Sequence, residues 1–456
     1  MKITQRLTVY GAIAILALAC GGASLLPSWT RPLEHPTTLL SAFDQQSLLL
    51  VENLTNGATV SVTQLDLQGN ELQHHQFDIQ GRQYAAEVLS PSSLLLRDRF
   101  GSSADSHILD LSTGTAEPAF SEDFRNAYPR FNYSVVGNSV AGKREQGDLI
   151  LAGALYPVAT ETPVQAIGQW SAPGVFHYRL LPEYVASAKL TTMGNTTGYI
   201  LAANFHEEYA AASAQAGFIQ FLDQALNVVA DIPLQQPFTL QYGFNDRAYG
   251  YFTGEDSIVF RFVDLQGQQT PRPEFLSGVS VKLGHGVFYT TKPVKGGTQY
   301  CRYDYALVLQ NCFTVPAWGY VQMTQLLPDD SIGLTEFRNQ EQVTGLNIAL
   351  EDLGDALVGA GTIAGADTYE IRQRSFTAEG RAVLDARTYT FKQEGHYRFC
   401  YPGLSLVCFE PERYSPGTCL HAESRFLSTT QVAGTSYWCE GNADAPQHLQ
   451  LNYWQQ

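Results

Sequence analysis

Six of the seven cysteines fall from residue 301 onward: Cys301, Cys312, Cys400, Cys408, Cys419 and Cys439. Thiols so placed can ligate a metal, cycle between dithiol and disulfide, or cross-link the fold. Intervals of 11 residues (301 to 312), then 8, 11 and 20 from residue 400 onward, include no C-x-x-C, so neither a zinc site nor a redox dithiol is indicated. An even set is read instead as three structural bridges formed in an oxidising compartment. Fifteen pairings are open in principle. Local turn signals favour 301 with 312, 400 with 408 and 419 with 439.

Other reactive residue types are grouped less convincingly. His206-Glu207-Glu208 and His74-His75 hold metal-ligating side chains, but neighbours on a strand point to opposite faces and do not converge on one ion. Pro328-Asp329-Asp330-Ser331 lacks the spaced acidic ligands of a calcium loop and is read as a surface turn. The Gly- and Ala-rich stretch from Gly354 to Gly365 lacks the Lys and Ser/Thr of a phosphate cradle. No G-x-S-x-G, H-E-x-x-H or G-x-G-x-x-G ahead of a helix occurs. Metal and cofactor are therefore both expected to be none. The aromatics at Tyr128 to Tyr133 and at Trp318-Gly319-Tyr320 are suited to lining a sugar or peptide groove, or to filling space between packed sheets.

Cys20 stands apart. It closes an apolar run from Leu7 to Ala19, behind Lys2 and Arg6, and Leu16-Ala17-Leu18-Ala19-Cys20 resembles the lipobox of bacterial lipoproteins. The resemblance implies cleavage before Cys20, a diacylglycerol on its thiol and an acylated amino group. Two acyl signals suffice for stable anchoring where one does not. Gly21, in place of the aspartate of that family's sorting rule, implies an outer-membrane lipoprotein in the bacterial cell envelope, facing periplasm or exterior. An uncleaved span over Leu7 to Leu26 is the competing reading, but Gly11, Gly21, Gly22 and Ser24 dilute it and no basic stop-transfer cluster follows. A third reading is ordinary signal cleavage with Cys20 discarded. The expected division is a signal peptide at 1–19, a lipidated cysteine and tether at 20–38, and a folded domain at 39–456.

Removing residues 1–19 takes away Lys2 and Arg6, so the net charge of −16 becomes −18. Such a surface repels phosphate backbones, and no basic stripe appears to offset it, so nucleic acid is excluded as a partner. Charged residues make up only 16% of the chain while Tyr and Phe number 24 each, which favours sheets over helical bundles.

Short alternating or apolar runs broken by turn residues fill the chain from Leu40 onward. Leu65-Asp66-Leu67-Gln68-Gly69 returns as Val263-Asp264-Leu265-Gln266-Gly267, with Leu109 to Gly114 a close relative. Further turn centres at Pro173-Gly174, Asp223-Gln224, Asp304-Tyr305, Asp352-Leu353-Gly354 and Pro402-Gly403 continue the series, in steps of 44, 63, 50, 41, 40, 48 and 50 residues. That interval matches a propeller blade. The expected fold is all-β, a β-propeller of seven to eight four-stranded blades, with tandem β-sandwiches as the alternative. Extra hairpin-like pieces at Ala378-Glu379-Gly380 and Glu440-Gly441-Asn442 leave the blade count open.

Leu109 to Gly114 also resembles the L-D-x-x-T-G turn of pyrroloquinoline-quinone-like propeller repeats, a group that includes the lipoprotein subunit of the outer-membrane barrel assembly machinery. Phe120 stands nearest to where that family carries tryptophan. The expected role is a membrane-anchored binding or scaffold module with an envelope protein or polymer partner. The alternative is a hydrolase or transferase with its site in the central channel.

Overall fold

The computed structural model describes residues 25–456 except 36, 43–45, 55–58, 81–82, 104, 137–149, 159, 161, 173–174, 195–197, 255–256, 285, 354–355, 400–406, 412–420 and 439–446. Cys20, Cys400, Cys419, Cys439 and the turns at Pro173-Gly174, Pro402-Gly403 and Glu440-Gly441-Asn442 lie outside the described residues, as does the side chain of Cys408.

The strands are short because turn chemistry interrupts them at regular intervals. Asp66 accepts backbone hydrogen bonds from Gln68 (2.9 Å) and Asn70 (2.8 Å), and Gly69 completes the turn with φ of +84°. The same device recurs where Asp264 accepts from Gln266 (3.0 Å) and Gln268 (2.8 Å), with Gly267 at φ +76°. A short acceptor aspartate and a residue free to take positive φ are what such a turn needs.

These hairpins assemble into eight antiparallel sheets, seven of four strands and one of five. Their innermost strands, in chain order, are Thr37–Ser41, Tyr84–Ser90, Arg130–Val136, Val185–Thr192, Phe238–Phe244, Ser280–Leu283, Tyr320–Leu326 and His421–Ser428. Second strands such as Ser47–Glu52, where Ser47 to Val51 are all buried, are apolar on both faces. Outer strands such as Val228–Leu234 are largely exposed. A sheet with two apolar faces needs a neighbour on each side, and eight apolar clusters provide this. Each cluster joins two successive blades, for example Leu40, Val51 and Val62 with Leu94 and Leu109, or Phe244 and Phe262 with Phe288 and Tyr303. The last joins Leu427, Ala433, Leu451 and Tyr453 of blade eight to Leu39, Leu48 and Leu65 of blade one, so the circuit closes. The chain is an eight-bladed β-propeller, and tandem sandwiches are excluded.

Ring closure departs from the sequence reading. The stretch 20–38, read as lipidated cysteine and tether, contributes the strand Trp29–Pro32, which pairs with residues 450–453 as the outermost strand of blade eight. Trp29 stacks on Tyr453 (centroids 5.3 Å apart), and its indole Nε1 donates to Leu67 O (3.0 Å) in the Asp66 turn of blade one. A Cβ on Gly69 would stand 3.0 Å from that indole, so the small turn residue also makes room for the closing tryptophan.

Two turn centres also change place. Asp352 and Leu353 do not join the outer strands of a blade; they lie at the far end of Ile332–Leu353, which pairs with Ala356–Phe376 over most of its length, and Gly354 lies outside the described residues. The outer turn of blade seven is Thr377 to Arg381, centred on Ala378-Glu379-Gly380, with Gly380 at φ +87°. Blade eight has no outer turn because its fourth strand comes from the other end of the chain. Cys301 and Cys312 do form a disulfide, across the register pair joining Gly297–Asp304 to Leu309–Pro316, with Cα atoms 4.1 Å apart.

Two outcomes follow from these contacts. Trp29→Ala removes the ring stack, the bond to Leu67 and the cover over Gly69, and is expected to cost about 2 kcal/mol in chemical denaturation, with hydrogen exchange rising first in residues 447–455. Hydrogen bonds from the Asn70 side chain to Asp66, from the Ser112 hydroxyl to Asp110 and from the Asn227 side chain to Asp223 hold these carboxyls below the usual aspartate range. Their stabilisation is complete above the unfolded value of about 3.9 and disappears as pH falls through the lower folded values. A triple Asp66→Ala, Asp110→Ala, Asp223→Ala variant should therefore melt below the parent at neutral pH and converge with it in strong acid.

Candidate functional site

Up-and-down blades divide their connections between two faces. On one face lie the turns between first and second strands and between third and fourth; on the other lie the links between second and third strands and between blades. The second face carries the elaborations: helix Glu122–Ala127, helix Glu207–Ser213, the 3-10 turn Glu274–Leu276, and the long hairpin of blade seven. Ser121 caps the first helix, its hydroxyl accepting from Phe124 N (3.3 Å).

On that face, a cleft of about 400 Å³ opens between blades two and three, lined by Arg97, Asp98, Arg99, Phe100, Gly101, Arg130, Phe131, Asn132, Tyr133 and Ser134. Backbone geometry builds it. Asp98, nearly buried at the end of Ser93–Asp98, accepts from Phe100 N (3.2 Å) and Ser102 N (2.9 Å), turning the chain so that Gly101 O receives Phe131 N (2.7 Å) of the next blade. Gly101 has φ of +79°, and a Cβ there would lie 2.0 Å from Asn132 Oδ1, so glycine is required both for the turn and for the approach of Asn132.

The guanidinium of Arg97 donates to Tyr133 O (3.1 Å), lies 5.4 Å from the Tyr133 ring centroid and is 3.8 Å from Glu87 Oε1. Burial pushes the Tyr133 hydroxyl well above the usual tyrosine range, which keeps it neutral. Arg130 rests 4.7 Å over the Tyr156 ring, and Arg99 and Phe100 are exposed, Phe100 by 67%. Beneath the cleft, Phe120, Phe124, Phe131, Trp170 and Phe176 form a packed aromatic cluster, with Trp170 Nε1 donating to Ala119 O (2.8 Å). Tyr128 to Tyr133 thus serve mainly as filling between blades, and the exposed ring at the opening is Phe100.

The residues singled out by type are dispersed. His206 is the N-cap residue of Glu207–Ser213, and Glu207 and Glu208 occupy its first turn, facing solvent where helix-end charge favours acids. His74 lies 2.9 Å from the Thr63 hydroxyl, while His75 packs beside Phe77. Asp329 bonds locally to Ser331, and Asp330 pairs with Arg302 (2.8 Å), tying blade seven to blade six. Among the described residues no group of three or more His, Cys, Asp or Glu is placed to hold a metal ion, and no helix is long and apolar enough to cross a membrane. On the inner strand of blade eight, Glu423 accepts from Leu39 N and Arg425 donates to Leu39 O, both at 3.0 Å, so these charges are engaged in joining inner strands.

Trp318, at the entry to blade seven, lies under Arg338 (4.5 Å) and Arg372 (5.3 Å). Arg338 in turn pairs with Glu370, and Arg372 with Asp385 (2.6 Å), at the root of the long hairpin. Tyr320 is 74% exposed beside them. The sequence reading passed over Arg97, Arg99 and Arg130; the available signal was the alternation of Arg97 and Arg99 next to Phe100-Gly101 in a chain where Lys and Arg total only 28 against 44 acids.

The fold and this face define a β-propeller with one elaborated surface. No family model matches the chain, and no curated protein matches it. Distant likenesses exist among solved structures. The Dos1 propeller is 8% identical over 94% of this chain and 95% of its own, with a TM-score of 0.38. A eukaryotic initiation factor is 10% identical over 79% and 91%, also at 0.38, and the Myceliophteria thermophila Cps50 (Swd1) propeller domain is 10% identical over 68% and 96%, at 0.33. Likeness at this level says nothing about function.

Gly101→Ala is expected to cost about 2 kcal/mol through the strained φ and the displaced Asn132, read as a lowered midpoint in denaturant.

Proposed function

We propose that this protein is a membrane-anchored lipoprotein whose propeller is a binding or scaffold module in the bacterial cell envelope, attached through Cys20. The observation that carries the binding reading is the asymmetry of the ring: helices, the long hairpin and the arginine-lined cleft share one face, while most described connections on the other are tight turns. A rigid ring that concentrates irregular segments on one face suits recognition. The Cys301–Cys312 bridge supports residence in an oxidising compartment such as a periplasm. The lipobox at Cys20 supports the anchor and outer-membrane localisation, and an envelope protein or polymer is the expected partner.

Mass spectrometry of the mature protein should find its N-terminus at Cys20 carrying acyl mass, and an unmodified thiol there removes the anchor. Photo-crosslinkers at Phe100, Tyr209 and Tyr320, on the elaborated face, should capture a partner from intact envelopes that crosslinkers at Gln68 and Gln266, in turns of the opposite face, do not. Equal capture from both faces overturns the binding assignment.

A further inference from the structure

We propose that the cleft between blades two and three binds the carboxylate-bearing sugars of an acidic oligosaccharide. This inference rests on the reading of the elaborated face as a binding surface and assigns that surface a ligand chemistry.

Three guanidiniums border one cleft in a chain of net charge −16. Two of them are uncommitted: among the described residues neither Arg99 nor Arg130 pairs with a carboxylate, and the contact of Arg130 with the Tyr156 ring uses none of its N–H donors. Arginine forks match planar carboxylates in a bidentate way. In the same lining the exposed Phe100 ring offers an apolar face to the C–H side of a pyranose, and Asn132 and Ser134 add an amide and a hydroxyl for ring hydroxyl groups. A mostly polar cleft with one exposed ring suits a charged, hydroxylated ligand better than a greasy one.

A peptide is disfavoured by the backbone. Arg99 N is bonded to Gln83 O, Gly101 N to Asp98 O, Phe131 N to Gly101 O, and Phe100 N and Ser102 N to the Asp98 carboxylate, so these cleft amides are unavailable to an added strand. A nucleic acid duplex is disfavoured by charge, since it presents about one phosphate per 1.7 Å of axis to an acidic protein, whereas an oligouronate carries a single carboxylate per ring.

The test is isothermal titration of the full protein with tetragalacturonate, using its methyl ester as the uncharged control and hexaglutamate as the acidic peptide. The expected result is saturable tetragalacturonate binding, absent for the ester and for hexaglutamate. Arg99→Gln and Arg130→Gln should each weaken it by about tenfold, and Phe100→Ala by severalfold, with unchanged melting temperatures because all three side chains are exposed. Absence of tetragalacturonate binding, equal binding of the ester or hexaglutamate, or variants that bind like the parent would overturn the inference. Retained partner capture at Tyr209 and Tyr320 alongside any of these results leaves the binding-module reading standing, so the two failures are distinguishable.

Discussion

Every blade here has two apolar faces, and that single fact dictates the rest. A sheet that is greasy on one side can lie on a core; one that is greasy on both must be sandwiched, and only a closed circuit gives each sheet two neighbours. Eight clusters, each shared by two successive blades, meet this demand around the ring. Side-chain amides reinforce it near the centre: Asn204, on the second strand of blade four, both donates to Phe238 O and accepts from Phe238 N, and Gln325 does the same with Phe426. Since these bonds run from one blade to the inner-strand backbone of the next, strands that share no sheet are still tied together.

Blade seven is the exception that adds to the ring rather than completing it. Where a typical strand here has six to eight residues, Ile332–Leu353 has 22 and Ala356–Phe376 has 21. Within the ring portion, polar groups replace apolar ones: Glu336 and Arg374 form a buried pair, Arg374 also donates to Pro316 O (2.9 Å), and Gln373 donates to Ser424 (2.9 Å). A buried charge pair costs desolvation and is retained where geometry matters more than greasy contact. Arg374 thus joins blade seven to blade six and Gln373 joins it to blade eight, at the root of the long hairpin.

The architecture was legible because its cause is local. A recurring aspartate followed by a residue of positive φ sets the outer turns, and the distance between them sets the blade. The repeat was nonetheless imperfect to read, because the turn tolerates more than glycine: Leu226 and Leu307 take φ of +61° and +68° after Asp223 and Asp304. Asp352-Leu353-Gly354 was misplaced because it has turn chemistry without the neighbours that make a blade edge. Trp29–Pro32 was unreadable as a strand for a different reason, as its pairing partners lie more than 400 residues away. The cleft was illegible because Arg97 and Arg130 belong to different blades and come to line one opening only where the turn at Gly101 brings one blade against the next.

Trp29–Pro32 also determines how the ring takes mechanical force. Any pull from upstream reaches first Leu25, whose amide is bonded to Asp385 O (3.1 Å) of blade seven, then the ladder to residues 450–453, and finally the Trp29 indole held against Tyr453 and Leu67. Tension from the anchor proposed at Cys20 would thus be spread over three blades, seven, eight and one. With the proposed anchor in place, the joint that keeps the circle shut would also be the joint that bears the load.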